Sequence, residues 1–216
     1  PALLALRVAT GFFLAGIYPV GMKIASQWFP RGLGAALGWL VGALVLASAA
    51  PHGLRAAGIG WPWQDVFVVI SALAALSGAV LLIGVPEPPP PASPPVPLRL
   101  AALGTLWSDR RVRASAFGYF GHMWELYTVW VLLPAILALR LSDTALVSWG
   151  AFVVFGAGAL GCIGGGLLVR RFGSARVAGV QLATSGACCL LAPWFAAAPM
   201  PWFLAWLLLW GITVAG

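Results

Sequence analysis

The chain has 216 residues, of which 62% are hydrophobic and only 8% charged, and its formal net charge is +7. Soluble globular proteins carry roughly 25% charged residues, and no soluble fold of this length has an interior that hides so much apolar surface. The composition excludes a soluble domain, and basic residues held in short clusters between apolar runs argue for membrane anchors rather than nucleic-acid contacts.

At about 30 residues per span and connection, the length corresponds to roughly seven crossings. Seven apolar segments are predicted, at residues 3–28, 32–52, 63–85, 112–139, 145–169, 177–194 and 201–216. Strand-like alternation is absent, and lipid requires backbone hydrogen bonds to close within each segment. The expected fold is an all-α integral membrane protein, a polytopic bundle of transmembrane helices. Pro1 opens almost at once into an apolar run and the last run stops at Gly216 after about 16 residues, short of a full span. The chain therefore reads as truncated at both ends.

In the first segment, Arg7 shares a helical face with Thr10, Gly11, Leu14, Tyr18 and Gly21. An arginine inside the membrane binds an anion or pairs with a carboxylate; near a helix start it snorkels outward instead. In the second segment, Gly34, Gly38 and Gly42 recur every four residues, a spacing that lets helices approach closely. The third begins near Asp65, where an acid favours a helix N-terminus.

Residues 86–111 then interrupt the apolar pattern. Eight of the twelve residues in the run 86–97 are proline, and it is expected to be an extended polyproline II spacer. Residues 98–107 read either as a short interfacial helix or as a plain solvated linker. This connection divides three spans (1–85) from four (112–216).

The fourth segment holds His122 and Glu125, the two ionisable residues deepest in any apolar run. At 100° per residue, Gly118, Gly121, His122, Glu125, Thr128 and Val129 share one arc; Leu126, Tyr119, Trp130, Met123, Tyr127, Phe120 and Trp124 fill the rest. A carboxyl group at mid-membrane is expensive, and desolvation disfavours its charged form. Glu125 is accordingly a candidate proton carrier tuned by His122. The alternative is a structural pair in which the two groups satisfy each other. Two ligands at i and i+3 do not complete a metal shell, so no metal is expected. The fifth segment repeats a small-residue ridge at Ala157, Gly161 and Gly165. Cys162, Cys188 and Cys189, all within apolar runs, read as packing residues rather than a disulfide framework.

Charge placement orients the bundle. If the first segment enters from outside, the inner connections hold nine basic residues, Lys23, Arg31, Arg99, Arg110, Arg111, Arg113, Arg170, Arg171 and Arg176, against Arg55 and Arg140 outside. By the positive-inside bias the central linker is then cytoplasmic, with the protein multi-pass in the cell (inner or plasma) membrane.

Together these features resemble the major facilitator superfamily, whose twelve helices form two six-helix halves joined by a cytoplasmic linker. The resemblance covers essentially the whole chain, as helices four to ten. Arg7-Val8-Ala9-Thr10-Gly11 is similar to the arginine–glycine motif of helix four, and Gly166-Leu167-Leu168-Val169-Arg170-Arg171-Phe172-Gly173 to the loop signature G-x-L-a-D-R-x-G between helices eight and nine, with Arg170 at its acidic position. The Gly34/Gly38/Gly42 series with Pro51 is similar in position to the glycine–proline region of helix five. The resemblance implies a secondary active transporter for a small solute, an organic or inorganic anion if Arg7 binds it, working by alternating access with proton coupling. Arg7, Tyr18, His122, Glu125 and Thr128 would line the pathway, and Gly166, Arg170, Arg171, Gly173 and Arg176 would form the cytoplasmic gate loop. Neither enzyme activity nor a cofactor is expected. A seven-helix receptor and an intramembrane enzyme are the alternatives: the first lacks a mid-membrane lysine in its last span, the second a nucleophile beside His122 in sequence.

Overall fold

A computed structural model describes residues 2–58, 60–86, 104 and 107–216. Most of the proline-rich connection and of the expected interfacial segment, residues 87–103 and 105–106, lies outside the described residues. The elements in order are α1 (Ala2–Trp28), α2 (Leu33–Ala56), α3 (Trp63–Gly84), α4 (Arg110–Ala138), α5 (Thr144–Phe172), α6 (Ser174–Leu190), α7 (Ala192–Ala197) and α8 (Met200–Ala215). No strand occurs among the described residues. Among the described residues five helices, α1 to α5, are long and apolar enough to cross a membrane, and α8 is a shorter apolar helix.

The expected seven segments correspond to these helices with two differences. α2 runs through Pro51 to Ala56, because membrane helices re-satisfy the backbone groups that proline frees. The sixth segment does not reach Trp194 as one helix. α6 stops at Leu190, and a six-residue α7 restarts with Pro193 in its first turn. A proline lacks an N–H and clashes with the carbonyl four residues back, so it opens a helix far better than it continues one.

The sequence also places the helix starts. Asp109 Oδ1 accepts from the Arg111 amide at 2.7 Å, and Asp143 Oδ1 from the Ala145 amide at 2.8 Å. Each is an N-cap satisfying a backbone donor that has no helical partner. Between α5 and α6 the connection is one residue, Gly173, with φ of 85°. That left-handed conformation is open to glycine at no steric cost.

α5 is the hub, touching α2, α4, α6 and α8. Its most extensive partner is α2, across the proline-rich connection. The glycine ridge explains why. A Cβ at Gly38 would lie 2.7 Å from the Cys162 carbonyl oxygen, and one at Gly42 3.1 Å from that of Ala159. Gly34 faces the Gly166 backbone at the end where the basic residues collect, while Gly53 packs on Phe152 at the other. Backbones therefore meet from Gly34 to Gly42, as small-residue seams allow. Beside this seam lies the main apolar core, where Leu126, Val129, Leu133 and Leu137 of α4 meet Val154 and Phe155 of α5 and Phe203, Trp206, Leu207 and Trp210 of α8.

Candidate functional site

Glu125 sits near the middle of α4, half-buried, one residue from the fully packed Leu126. Its Oε1 accepts three hydrogen bonds from two other helices. The Ser185 hydroxyl donates at 2.5 Å, the Cys189 thiol at 3.2 Å and the Trp210 indole N–H at 3.3 Å. Ser185 and Cys189 are one turn apart on α6, so both reach the same point. Trp210 is held from the α8 side by its ring neighbour Trp206, 5.1 Å away, whose own N–H donates to the Cys188 carbonyl at 3.1 Å. Three hydrogen bonds converging on one oxygen tie α4, α6 and α8 together.

A cavity of about 230 Å³ opens beside the carboxyl group, lined by Glu125, Thr128, Cys189 and Trp210 among others. Thr128 is exposed, and its hydroxyl donates back to the Trp124 carbonyl at 2.7 Å. His122 lines a different cavity of about 560 Å³ with Ser115, Tyr119, Ser174 and Gly179. Among the described residues Glu125 takes its hydrogen bonds from Ser185, Cys189 and Trp210, not from His122. The two lie within electrostatic reach of each other, but the alternative of a mutually satisfied pair gives way to a carboxyl group satisfied from α6 and α8. The two arcs of α4 do not divide simply into buried and exposed. Leu126, in the bulky arc, is 7% exposed, whereas Thr128, in the small arc, is exposed and borders the cavity beside Glu125. The buried stripe follows Leu126, Val129, Leu133 and Leu137 because α5 and α8 both pack there.

The remaining expected residues fall in three places. Arg7 is exposed on α1 with its guanidinium 6.0 Å from the centre of the Phe67 ring on α3. Tyr18 is 41% exposed on α1, within electrostatic reach of Tyr119 on α4. Gly166 belongs to the α2–α5 seam, where a Cβ would lie 3.0 Å from Gly38 Cα. Arg170 and Arg171 end α5, Gly173 forms the joint, and Arg176 is exposed on the first turns of α6.

Sequence reasoning missed four contributors. Ser185, Cys189 and Trp210 lie 60, 64 and 85 positions from Glu125; the only local signal is the one-turn spacing of Ser185 and Cys189. Arg140, read only as an outer-loop charge, donates to the Ala196 and Ala198 carbonyls at 2.6 and 3.0 Å and stacks over Phe203. A cation at the C-terminal end of α7 matches the helix dipole, and so secures the α6–α8 joint.

Among the described residues no cluster of three or more histidine, cysteine or acidic side chains is placed to hold a metal. Comparisons with curated proteins and with solved structures each find no match. The family model described as Major Facilitator Superfamily matches residues 1–216. With that match across every residue and an all-α bundle of bilayer-length helices, the chain belongs to the Major Facilitator Superfamily of multi-pass membrane transporters.

Proposed function

We propose that the transporter is secondary active and proton-coupled, with Glu125 as the group that takes up and releases the proton. The bilayer and a small-molecule substrate follow from the family; the coupling rests on one observation, the convergence of Ser185, Cys189 and Trp210 on Glu125 Oε1. An ionised carboxylate accepts all three donors. A protonated Oε1 has lone-pair capacity for fewer, and the indole N–H can only donate, so it is displaced, whereas a hydroxyl can turn and accept. Protonation thus loosens α8 from α4 while Ser185 keeps its contact. That is a local switch of the kind alternating access requires.

In this reading the helices of residues 1–85 and 112–216 belong to two halves that rock against each other along the α2–α5 seam. The linker at 86–111 is cytoplasmic, in a cell membrane, and the solute reaches a site between the halves. Tyr18 and His122, facing Tyr119 and the larger cavity, are its first candidates, with Thr128 at the proton branch. Gly166, Arg170, Arg171, Gly173 and Arg176 sit at the cytoplasmic end as hinge and gate. Arg7 lies over the Phe67 ring, so the reading assigns it no contact with the solute. In proteoliposomes challenged with a panel of labelled small solutes, wild-type protein should accumulate a substrate when a pH gradient is imposed. Glu125→Gln should lose that accumulation yet keep substrate exchange at equal pH on both sides; undiminished gradient-driven accumulation in the variant contradicts the assignment.

A further inference from the structure

At the basic end of the α2–α5 seam, a cleft of about 680 Å³ is lined by Arg31 on one side and by Arg170 and Arg171 on the other. Arg31 comes from the α1–α2 connection and the other two from the last turn of α5, so the cleft draws its charge from both sides of the proline-rich connection. Its floor is the close backbone approach of Gly34 and Gly166. Arg171 is steadied by its own neighbour, its guanidinium 5.2 Å from the Phe172 ring centre.

Nothing acidic lines this cleft. The chain has five acids in all. Asp109 caps α4, Asp143 caps α5 and Asp65 opens α3, Glu125 is engaged by α6 and α8, and Glu87 lies outside the described residues. Three like charges therefore meet over a backbone contact with no carboxylate from the described residues among them. Guanidinium groups bind phosphate oxygens in paired, planar geometry, and basic pockets between membrane helices on the inner side take lipid head groups.

We infer that this cleft binds a phosphate-class oxyanion, the head group of an anionic lipid or free phosphate, which bridges the two sides of the seam and offsets the repulsion of the three arginines. The site is separate from the Glu125 cluster and does not depend on proton coupling.

The full chain in a neutral detergent is titrated separately with short-chain phosphatidylglycerol, short-chain phosphatidylcholine and inorganic phosphate, with binding read from tryptophan fluorescence. The inference predicts saturable binding of phosphatidylglycerol. Because each surface arginine contributes about 1 kcal/mol toward an anionic head group, Arg170→Gln with Arg171→Gln should weaken it roughly thirty-fold, and Arg31→Gln alone should weaken it less. Arg110→Gln with Arg111→Gln removes as much charge from the same face but outside the cleft, and should change binding by no more than about twofold. Competition by inorganic phosphate assigns the site to free oxyanions as well, and its failure to compete assigns the site to lipid. Equal binding of phosphatidylcholine, an equal loss in both double variants, or no binding of either phosphate probe overturns the inference. Retained helical content and elution volume in each variant separate lost binding from lost fold.

Discussion

A carboxyl group that accepts from a hydroxyl, a thiol and an indole on two other helices is a different object from an isolated acid in a membrane. Its oxygen is satisfied by donors whose positions depend on helix packing, so the hydrogen bonding of Glu125 and the packing of α4, α6 and α8 are linked. Hydrogen bonds between membrane helices average somewhat under about 1 kcal/mol, since the unfolded helices also find partners in lipid. Ser185→Ala and Trp210→Phe should each lower thermal stability in detergent by about that amount. Since both donors share one oxygen, the double variant should not equal their sum; a coupling of at least about 0.5 kcal/mol is expected from a double-mutant cycle. Strict additivity would mean that the two donors do not share an acceptor. The sequence made Glu125 legible because a charge in an apolar run stands out. Its partners were illegible, because serine, cysteine and tryptophan are ordinary residues of a membrane helix and only tertiary packing brings them to it.

At the scale of elements, the seam between α2 and α5 tolerates substitution poorly. A Cβ at Gly38 meets the Cys162 carbonyl and the Gly166 backbone, neither of which is the movable end of a side chain. Gly38→Ala should destabilise by about 1–3 kcal/mol through overpacking. Gly164 is the internal control, since it lies in α5 with open space around it; there alanine should be neutral or stabilise by up to about 1 kcal/mol through helix propensity. Thermal unfolding of the two variants in the same detergent checks the contrast, and similar losses at both positions would remove the seam from the account. The four-residue spacing of Gly34, Gly38 and Gly42 made a seam legible in the sequence. Its partner was less so, because the facing surface on α5 combines Gly166 with Ala159, Cys162 and Ile163 rather than repeating one glycine pattern. The break at Leu191 was missed for a related reason. Pro193 stands inside a run that is apolar throughout, and hydropathy alone does not register a helix restarting.

For the whole molecule, the charge pattern and the packing agree on direction. Lys23, Arg31, Arg110, Arg111, Arg113, Arg170, Arg171 and Arg176 all lie toward the end where α1, α3 and α5 finish, while Arg55 and Arg140 lie toward the other. With the native cysteines replaced by alanine, a cysteine at Ser108 should react with an impermeant thiol reagent only after the cells are permeabilised, and one at Ser142 without permeabilisation. The reverse pattern would invert the topology and with it the cytoplasmic placement of the linker. Family membership extends over every residue, and the bundle of long apolar helices was legible from composition alone because the bilayer fixes span length. The central claim is narrower, that Glu125 is the membrane-embedded group that titrates. Infrared difference spectra of the protein reconstituted in liposomes, recorded as the pH is lowered, test it most directly. A protonated-carboxyl band that grows in the wild type, is perturbed by Ser185→Ala and is missing from Glu125→Gln is the predicted result; a band that persists unchanged in Glu125→Gln would contradict it.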